Sequence, residues 1–404
     1  MSAHPPAAGA VNPAASPSIM FVAGENSGDL HGARVIEHLR RMYPGGNFYG
    51  FGGDRMEKAG MVLEENLAQK LPIIGLTQVI KNFPKIKELL RRAADMLRTR
   101  KPDLLVLIDY PGFNLRTAAA ARELGVPVVY YISPQVWAWH RERLKIIQRN
   151  VDKMLVILPF EADMYQQEGI DAQYVGHPLQ DDLTSVTPRP TVLKKLGIAN
   201  DAEVIGLMPG SRNSEIVRHL TPMLEAARLI QKRKPGVRFV LPRASTIAPE
   251  LLSKYLDRFP DVQVAIAEED HKSVRAAMDF VICKSGTSTL EYALLGVPMV
   301  IIYKASWLTG FIARRVLKIP HIGLVNIVAG REVAPELLQE QATGAQIGER
   351  VLAILDDEKR LQDMKNQMEQ VRETIGGPGA SLRVAEAVGE FLQEKCGILL
   401  PTAE

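Results

Sequence analysis

Leu104–Asn114 reads LLVLIDYPGFN: five aliphatic residues in a row, then an acid, an aromatic, a proline and a glycine. A run this apolar, without alternation, suits a parallel strand covered on both faces. The same pattern recurs outward along the chain. Ser18–Ala23 (SIMFVA), Pro127–Ile132 (PVVYYI) and Lys153–Leu158 (KMLVIL) are short β-rich runs. Helical stretches separate them, from Gly28 through Arg41, over Leu115–Leu124 and over Arg141–Arg149. Strands and helices in alternation imply βαβ units with right-handed crossovers, hence a Rossmann-like sheet. The pattern breaks at Leu183–Pro190 (LTSVTPRP), a Pro/Thr linker, and a second series begins. Its strands are expected over Val204–Met208, Arg238–Leu241, Val262–Ala265, Phe280–Cys283 and Met299–Ile302. The expected fold class is therefore α/β, with two Rossmann-like domains facing each other across a cleft. Such clefts and the carboxyl ends of parallel strands are favoured ligand sites. The expected layout is a disordered leader over 1–18, an N-terminal domain over 19–185, a C-terminal domain over 191–375 and a helix over 378–398 packing back on the body.

Composition narrows the function. The chain has 404 residues, more than one compact core usually holds. Hydrophobic residues at 46% and charged residues at 24% are globular proportions. Lys and Arg exceed Asp and Glu by only 49 to 46, so no polybasic field speaks for nucleic acid. The two cysteines, Cys283 and Cys396, match no zinc spacing and call for no disulfide framework. Val297–Tyr303 and Leu104–Ile108, the longest apolar runs, fall short of the ~18–20 residues that span a bilayer. Met1–Ser18 has neither the basic start nor the apolar stretch of a secretory signal. A cytoplasmic protein of more than one domain is expected.

Several turns carry candidate chemistry. The first strand runs into Gly24–Gly32 (GENSGDLHG), a Gly-rich turn opening a helix. Unpaired N–H groups and the positive dipole end there can cradle an anion or a sugar. The spacing is not G-x-G-x-x-G, which speaks against a dinucleotide. Ser27 or Asp29 serves there as a helix cap or as a ligand contact, and Glu25 faces the expected cleft from a strand end. Asp109 sits at the exit of the apolar strand, where partial desolvation raises the basicity of a carboxylate. A general base is the favoured reading and a helix cap the structural alternative. Trp137 and Trp139 offer flat apolar faces for a sugar or an acyl chain, or simple packing. The basic helix after them, with His140, Arg141, Arg143, Lys145 and Arg149, reads as a solvated face or as a contact for an anionic partner. Leu71–Ile80 (LPIIGLTQVI), with Ile73, Ile74 and Leu76, is unusually apolar for a connection. It reads as a core helix, an acyl-chain groove or a shallow membrane contact.

The second series repeats the turn motif twice. Leu207–Arg212 (LMPGSR) ends a strand in a Gly-Ser turn, and Arg212 adds a planar cation able to bind phosphate in bidentate fashion. Pairing with Glu215 is the alternative for Arg212. Lys284–Glu291 (KSGTSTLE) follows another strand and opens a helix. Ser285, Gly286, Thr287 and Ser288 suit a diphosphate there, and Glu291, one turn in, suits a ribose diol. Two such turns without a Walker lysine point to a nucleotide-sugar rather than ATP. D-x-D is missing, Glu268–Asp270 reads as a solvated loop or a helix start, and no metal or cofactor is called for.

Taken together, AGENSGDLHGA (Ala23–Ala33), ISPQVWAWHRERLKII (Ile132–Ile147), LPFE (Leu158–Glu161), VGHPLQDD (Val175–Asp182), PGSRNSEI (Pro209–Ile216), SGTSTLEYAL (Ser285–Leu294) and PHIGLVNIVAGREVAPELLQE (Pro320–Glu340) resemble the lipid-A-disaccharide synthase family from Ile19 to about Leu392. Each piece is a weak pattern; their order and spacing are specific. The resemblance implies an inverting glycosyltransferase of the two-Rossmann GT-B fold. It would transfer 2,3-diacylglucosamine from its UDP derivative to the 6-hydroxyl of 2,3-diacylglucosamine 1-phosphate (lipid X). It implies Asp109 as base with Glu25 beside it. UDP would be held by Arg212, Ser285, Gly286, Thr287, Ser288, Glu291 and Asn326, and the lipid acceptor by Ser27, Trp137, Trp139, Ile73, Ile74 and Leu76. Peripheral attachment to the inner leaflet follows from the resemblance, and a homodimer is compatible with it. Family members often read D-x-P-D-F-N, whereas Asp109–Asn114 keeps only the first acid. The alternatives are a UDP-GlcNAc 2-epimerase, another UDP-sugar transferase with a soluble acceptor, and a non-catalytic nucleotide-sugar or lipid-binding protein.

Overall fold

The computed structural model describes residues 16–67, 83–183, 185–305 and 320–400. The chain forms two compact units, one of residues 1–178 with 379–404 and the other of residues 179–378.

The sheet of the first unit contains β1 (Ser18–Ala23), β2 (Asn47–Gly52), β3 (Val62–Asn66), β4 (Leu104–Ile108), β5 (Val128–Tyr131), β6 (Lys153–Val156) and β7 (Ala172–Tyr174). Their order is β3-β2-β1-β4-β5-β6-β7, all parallel. Every residue of β4 is buried, as its unbroken aliphatic run requires. Two cores flank the sheet. One packs Leu89, Ala93 and Leu97 of helix Phe83–Arg100 and Phe113 of helix Pro111–Glu123 against Leu105 and Leu107. The other packs Val35, Ile36 and Leu39 of helix Asn26–Met42 against Ile19, Phe21 and Val106. Helix Ala380–Cys396 joins this second core through Val384, Val388 and Phe391. The last helix therefore completes the first unit.

The second unit repeats the plan with β8 (Val204–Met208), β9 (Arg238–Pro242), β10 (Val264–Ala267), β11 (Phe280–Lys284), β12 (Met299–Tyr303) and β13 (Glu336–Leu338). Their order is β10-β9-β8-β11-β12-β13, again parallel. Helix Asn213–Arg233 follows β8 and packs on helix Gly344–Leu355.

In each sheet the strand order reverses once, between β1 and β4 and between β8 and β11. Ala23 pairs with Ile108 and Met208 with Cys283, so each reversal places two strand ends side by side. Open parallel sheets bind ligands at such reversals.

Three expectations need correction. The first unit breaks at Pro178 rather than 185, because helix Leu179–Asp182 already belongs with the second. The strand expected over Val262–Ala265 lies at Val264–Ala267, since Asp261–Gln263 still belong to the preceding turn. The strands β2, β3, β7 and β13 escaped notice. β2 is broken up by glycines (NFYGFG), β3 carries two glutamates (VLEEN), and β7 and β13 have three residues each. No helix among the described residues is long and apolar enough to cross a membrane.

Candidate active site

In the first unit the β4 exit is a strained turn. Asp109 (φ 48°) and Tyr110 (φ 49°) are both left-handed, a conformation Asp tolerates and Tyr rarely adopts. Asn114, fully buried, holds the turn by donating from Nδ2 to the carbonyls of Asp109 (2.7 Å), Ile108 (3.1 Å) and Val22 (3.3 Å). Tyr130 donates its hydroxyl to the Asp109 carbonyl at 2.5 Å, and the Asp109 N–H donates to Tyr131. Gly24 is required here, because a Cβ would fall 2.2 Å from the Tyr110 ring.

The backbone of Asp109 is thus fully engaged while its carboxyl is held in a poorly hydrated spot. Burial, then the charge of Glu25, pushes that carboxyl up to about 6, against the pull of the Tyr110 N–H. Glu25 itself is exposed at the N-cap of helix Asn26–Met42 and makes no side-chain cap bond. A carboxylate of raised basicity beside a solvated acid suits proton transfer near neutral pH.

The neighbouring candidates divide. Asp29 is buried and accepts from the N–H groups of Arg55 (3.2 Å) and Met56 (3.0 Å), so it caps helix Asp54–Lys58. Ser27 is exposed in the first helical turn. Trp137 is partly buried against Phe160 and donates its indole N–H to Glu161 at 3.0 Å. Ser133 donates to the same carboxylate oxygen at 2.8 Å, and the Leu158 N–H donates to the other oxygen at 3.1 Å. Trp137 is thereby fixed in the loop, whereas Trp139 stands 51% exposed. Ile73, Ile74 and Leu76 lie outside the described residues.

In the second unit a pocket of about 220 Å³ opens at the β8/β11 reversal. Gly210, Ser211 and Arg212 line it from the β8 turn, with Lys284, Gly286, Thr287 and Ser288 from the β11 turn and His271 and Arg275 from helix His271–Ala276. Glu215 organises the cations. Its carboxylate accepts from the Ser211 N–H (2.9 Å) and lies 3.0 Å from Lys284 Nζ and 3.5 Å from Arg212 Nη1. Burial alone would raise this carboxyl, but Lys284, the Ser211 N–H and Arg212 hold it below its ordinary value. Gly210 (φ 122°) leaves room for it, since a Cβ would lie 2.2 Å from Glu215 Oε2. The Arg212 side chain, 51% exposed, remains accessible to a ligand. Positive side chains and helix-start N–H groups around one hollow form an anion site.

Three expected donor contacts do not line this pocket. Asn326 is fully buried, donating to Ala334 O and Glu336 Oε1 and accepting from the N–H groups of Val333 and Ala334. Every polar atom of that amide is used to shape its own loop. Ser285 donates its hydroxyl to Ile322 O at 2.7 Å, so that hydroxyl serves the chain. Glu291 is ion-paired with Arg275, and Arg275 is the member of the pair that faces the pocket. Arg212, Gly286, Thr287 and Ser288 do line it. Sequence reasoning missed Lys284, Arg275 and His271, whose Nε2 has no hydrogen-bond partner among the described residues. Lys284 had a signal, a lone cation ending an otherwise apolar strand; the other two lie on a short helix remote from any motif. Glu268 pairs with Arg243 and Asp270 caps helix His271–Ala276, so that acidic run is structural.

A family model described as lipid-A-disaccharide synthetase matches residues 19–389. The lipid-A-disaccharide synthase of Trichlorobacter lovleyi is 43% identical over 93% of this chain and 98% of its own length. That of Syntrophus aciditrophicus is 41% identical over 91% and 96%. Among solved structures, a putative UDP-N-acetylglucosamine 2-epimerase from Listeria monocytogenes superposes with a TM-score of 0.64 at 14% identity, covering 94% of this chain and 97% of that one. The UDP-GlcNAc 2-epimerase of Neisseria meningitidis bound to UDP-GlcNAc gives 0.62 at 14% (92% and 99%), and a calicheamicin glycosyltransferase gives 0.61 at 16% (94% and 99%). At these identities the structural likeness speaks for the fold, two Rossmann-like domains of the GT-B type.

Proposed function

We propose a division of catalytic labour from one premise: this chain belongs to the lipid-A-disaccharide synthase family. It is a glycosyltransferase of lipid A biosynthesis, with a UDP-sugar donor and a lipid acceptor. The reaction transfers 2,3-diacylglucosamine from UDP to the 6-hydroxyl of 2,3-diacylglucosamine 1-phosphate with inversion, giving a β-1′,6 disaccharide and UDP. The epimerase alternative has only distant fold likeness behind it.

In this reading Asp109 takes the proton from the acceptor's 6-hydroxyl as its oxygen attacks the anomeric carbon. The new C–O bond forms as the bond to UDP breaks, and the electron pair leaves on the diphosphate. Arg212, Lys284 and the N–H groups at Gly286–Ser288 take up that charge, and Glu25 keeps the Asp109 carboxyl basic. The observation that carries the assignment is the Asp109 carboxyl, lifted to about 6 at the end of an apolar strand and fixed by a strained turn. A positioned base contributes roughly 10²–10⁴-fold. The test is direct: incubate the protein with UDP-2,3-diacylglucosamine and the acceptor, and follow disaccharide and UDP by mass spectrometry. UDP release without disaccharide would overturn the transferase reading.

Peripheral contact with the inner leaflet belongs to the same proposal. Exposed Phe83, next to the apolar stretch of the sequence, supports it. Flotation with anionic vesicles tests it. The homodimer is tested by sedimentation.

A further inference from the structure

Beside Asp109 the first unit has a hollow that the chemistry above does not use. About 240 Å³ in size, it is walled by Phe83, Ile86 and Leu90 of helix Phe83–Arg100 and by Tyr110, Gly112 and Phe113 across from them. Tyr110 belongs to both features, since it follows the acid in the left-handed turn and stacks on Phe113 with ring centroids 6.1 Å apart. Two cations, Lys87 and Arg116, stand among the described lining residues, and no acid is among them. Gly112 is the notable position. A Cβ built there meets nothing within 4 Å among the described residues, so a larger side chain at this lining position has room to fill part of the hollow. It is also where the sequence departs from the D-x-P-D-F-N pattern, replacing an acid by hydrogen.

Water gains little in such a groove, whereas each methylene buried there is stabilised by leaving water. An acyl chain on a negatively charged headgroup matches both the apolar walls and the two cations. We propose that this groove receives one acyl chain of the acceptor, placing the sugar hydroxyl near Asp109, and that Gly112 governs how much chain is admitted. The inference rests on the transferase reading and adds to it the location and limit of acceptor binding.

Two variants test it, Gly112→Phe filling the groove from one wall and Ile86→Glu placing a charge on the other. Steady-state rates are measured with the long-chain acceptor and with the same sugar phosphate bearing short chains, at saturating donor. The expected result is a KM for the long-chain acceptor raised by roughly tenfold more than that for the short-chain one. Melting temperatures should match the wild type. Equal KM changes for both acceptors, or none in either variant, overturn the groove. If one variant melts early, the other decides. Wild-type protein that forms no disaccharide overturns the transferase reading and the groove with it, and that result is visible before any variant is made.

Discussion

The two strand-end sites solve opposite electrostatic problems. At the β4 exit an acid stands among apolar groups with a second acid nearby, and its charge is made costly. At the β8/β11 reversal an acid is surrounded by Lys284, Arg212 and a backbone N–H, and its charge is made cheap. Burial pushes both carboxyls upward, and the neighbours decide the net direction. The first arrangement suits the base proposed for Asp109, and the second fixes two cations around a hollow.

The largest effect expected from breaking this contrast is at the first site. Asp109→Asn should lower kcat by roughly 10²–10⁴-fold while UDP affinity by calorimetry stays unchanged. Lost UDP binding in the folded variant would remove Asp109 from its assigned role. Next comes the second site. Lys284→Met leaves Glu215 short of its nearest cation, so UDP affinity should fall by roughly 10–100-fold and stability by about 1–3 kcal/mol, read by titration and denaturant melts. Asp109→Asn should leave UDP affinity alone and Lys284→Met should leave the pH profile alone; crossed effects would erase the contrast.

Much of this was legible because it depends on local pattern. The unbroken aliphatic run of β4, the acid after it and the Gly-Ser turns are all visible in the sequence, and strand alternation gave two sheets. What stayed hidden depends on contacts that exist only in the folded chain. Asn326 looks like a polar ligand within a motif, yet its contacts are with Val333, Ala334 and Glu336, and only the folded loop reveals that it is saturated. Asn114 was visible in the β4 motif, but its bond to Val22, 92 residues away, was not. Arg275 reaches the pocket from a six-residue helix without any motif.

Titration sharpens the comparison further. A base lifted to about 6 must be ionised to act, so kcat/KM should fall about tenfold per pH unit below that value. The stability sign runs the other way. The folded carboxyl is raised above its ordinary value, so its ionisation costs stability in full above pH ~6, and the cost shrinks from there down to about pH 4, below which it is gone. Asp109→Asn should therefore melt no earlier than wild type at pH 8, and up to about 1–3 kcal/mol more stably, even though it is inactive. A marked loss of stability at pH 8 would mean that the charge is better compensated than its surroundings indicate. The smallest effect belongs to Trp139. Its exposed side chain can be cut to Ala with a change in unfolding free energy within about 0.5 kcal/mol, so any larger change must appear in acceptor KM.

The return of residues 379–404 to the first unit has a consequence for synthesis. A chain emerging from the ribosome makes the acid-bearing sheet first, yet Val384, Val388 and Phe391 that close one of its faces arrive last. The second unit has all its residues by Pro378. A stop codon just after that point would spare the later-made sheet and leave the earlier one uncovered, reversing the usual rule that truncation harms what is made last.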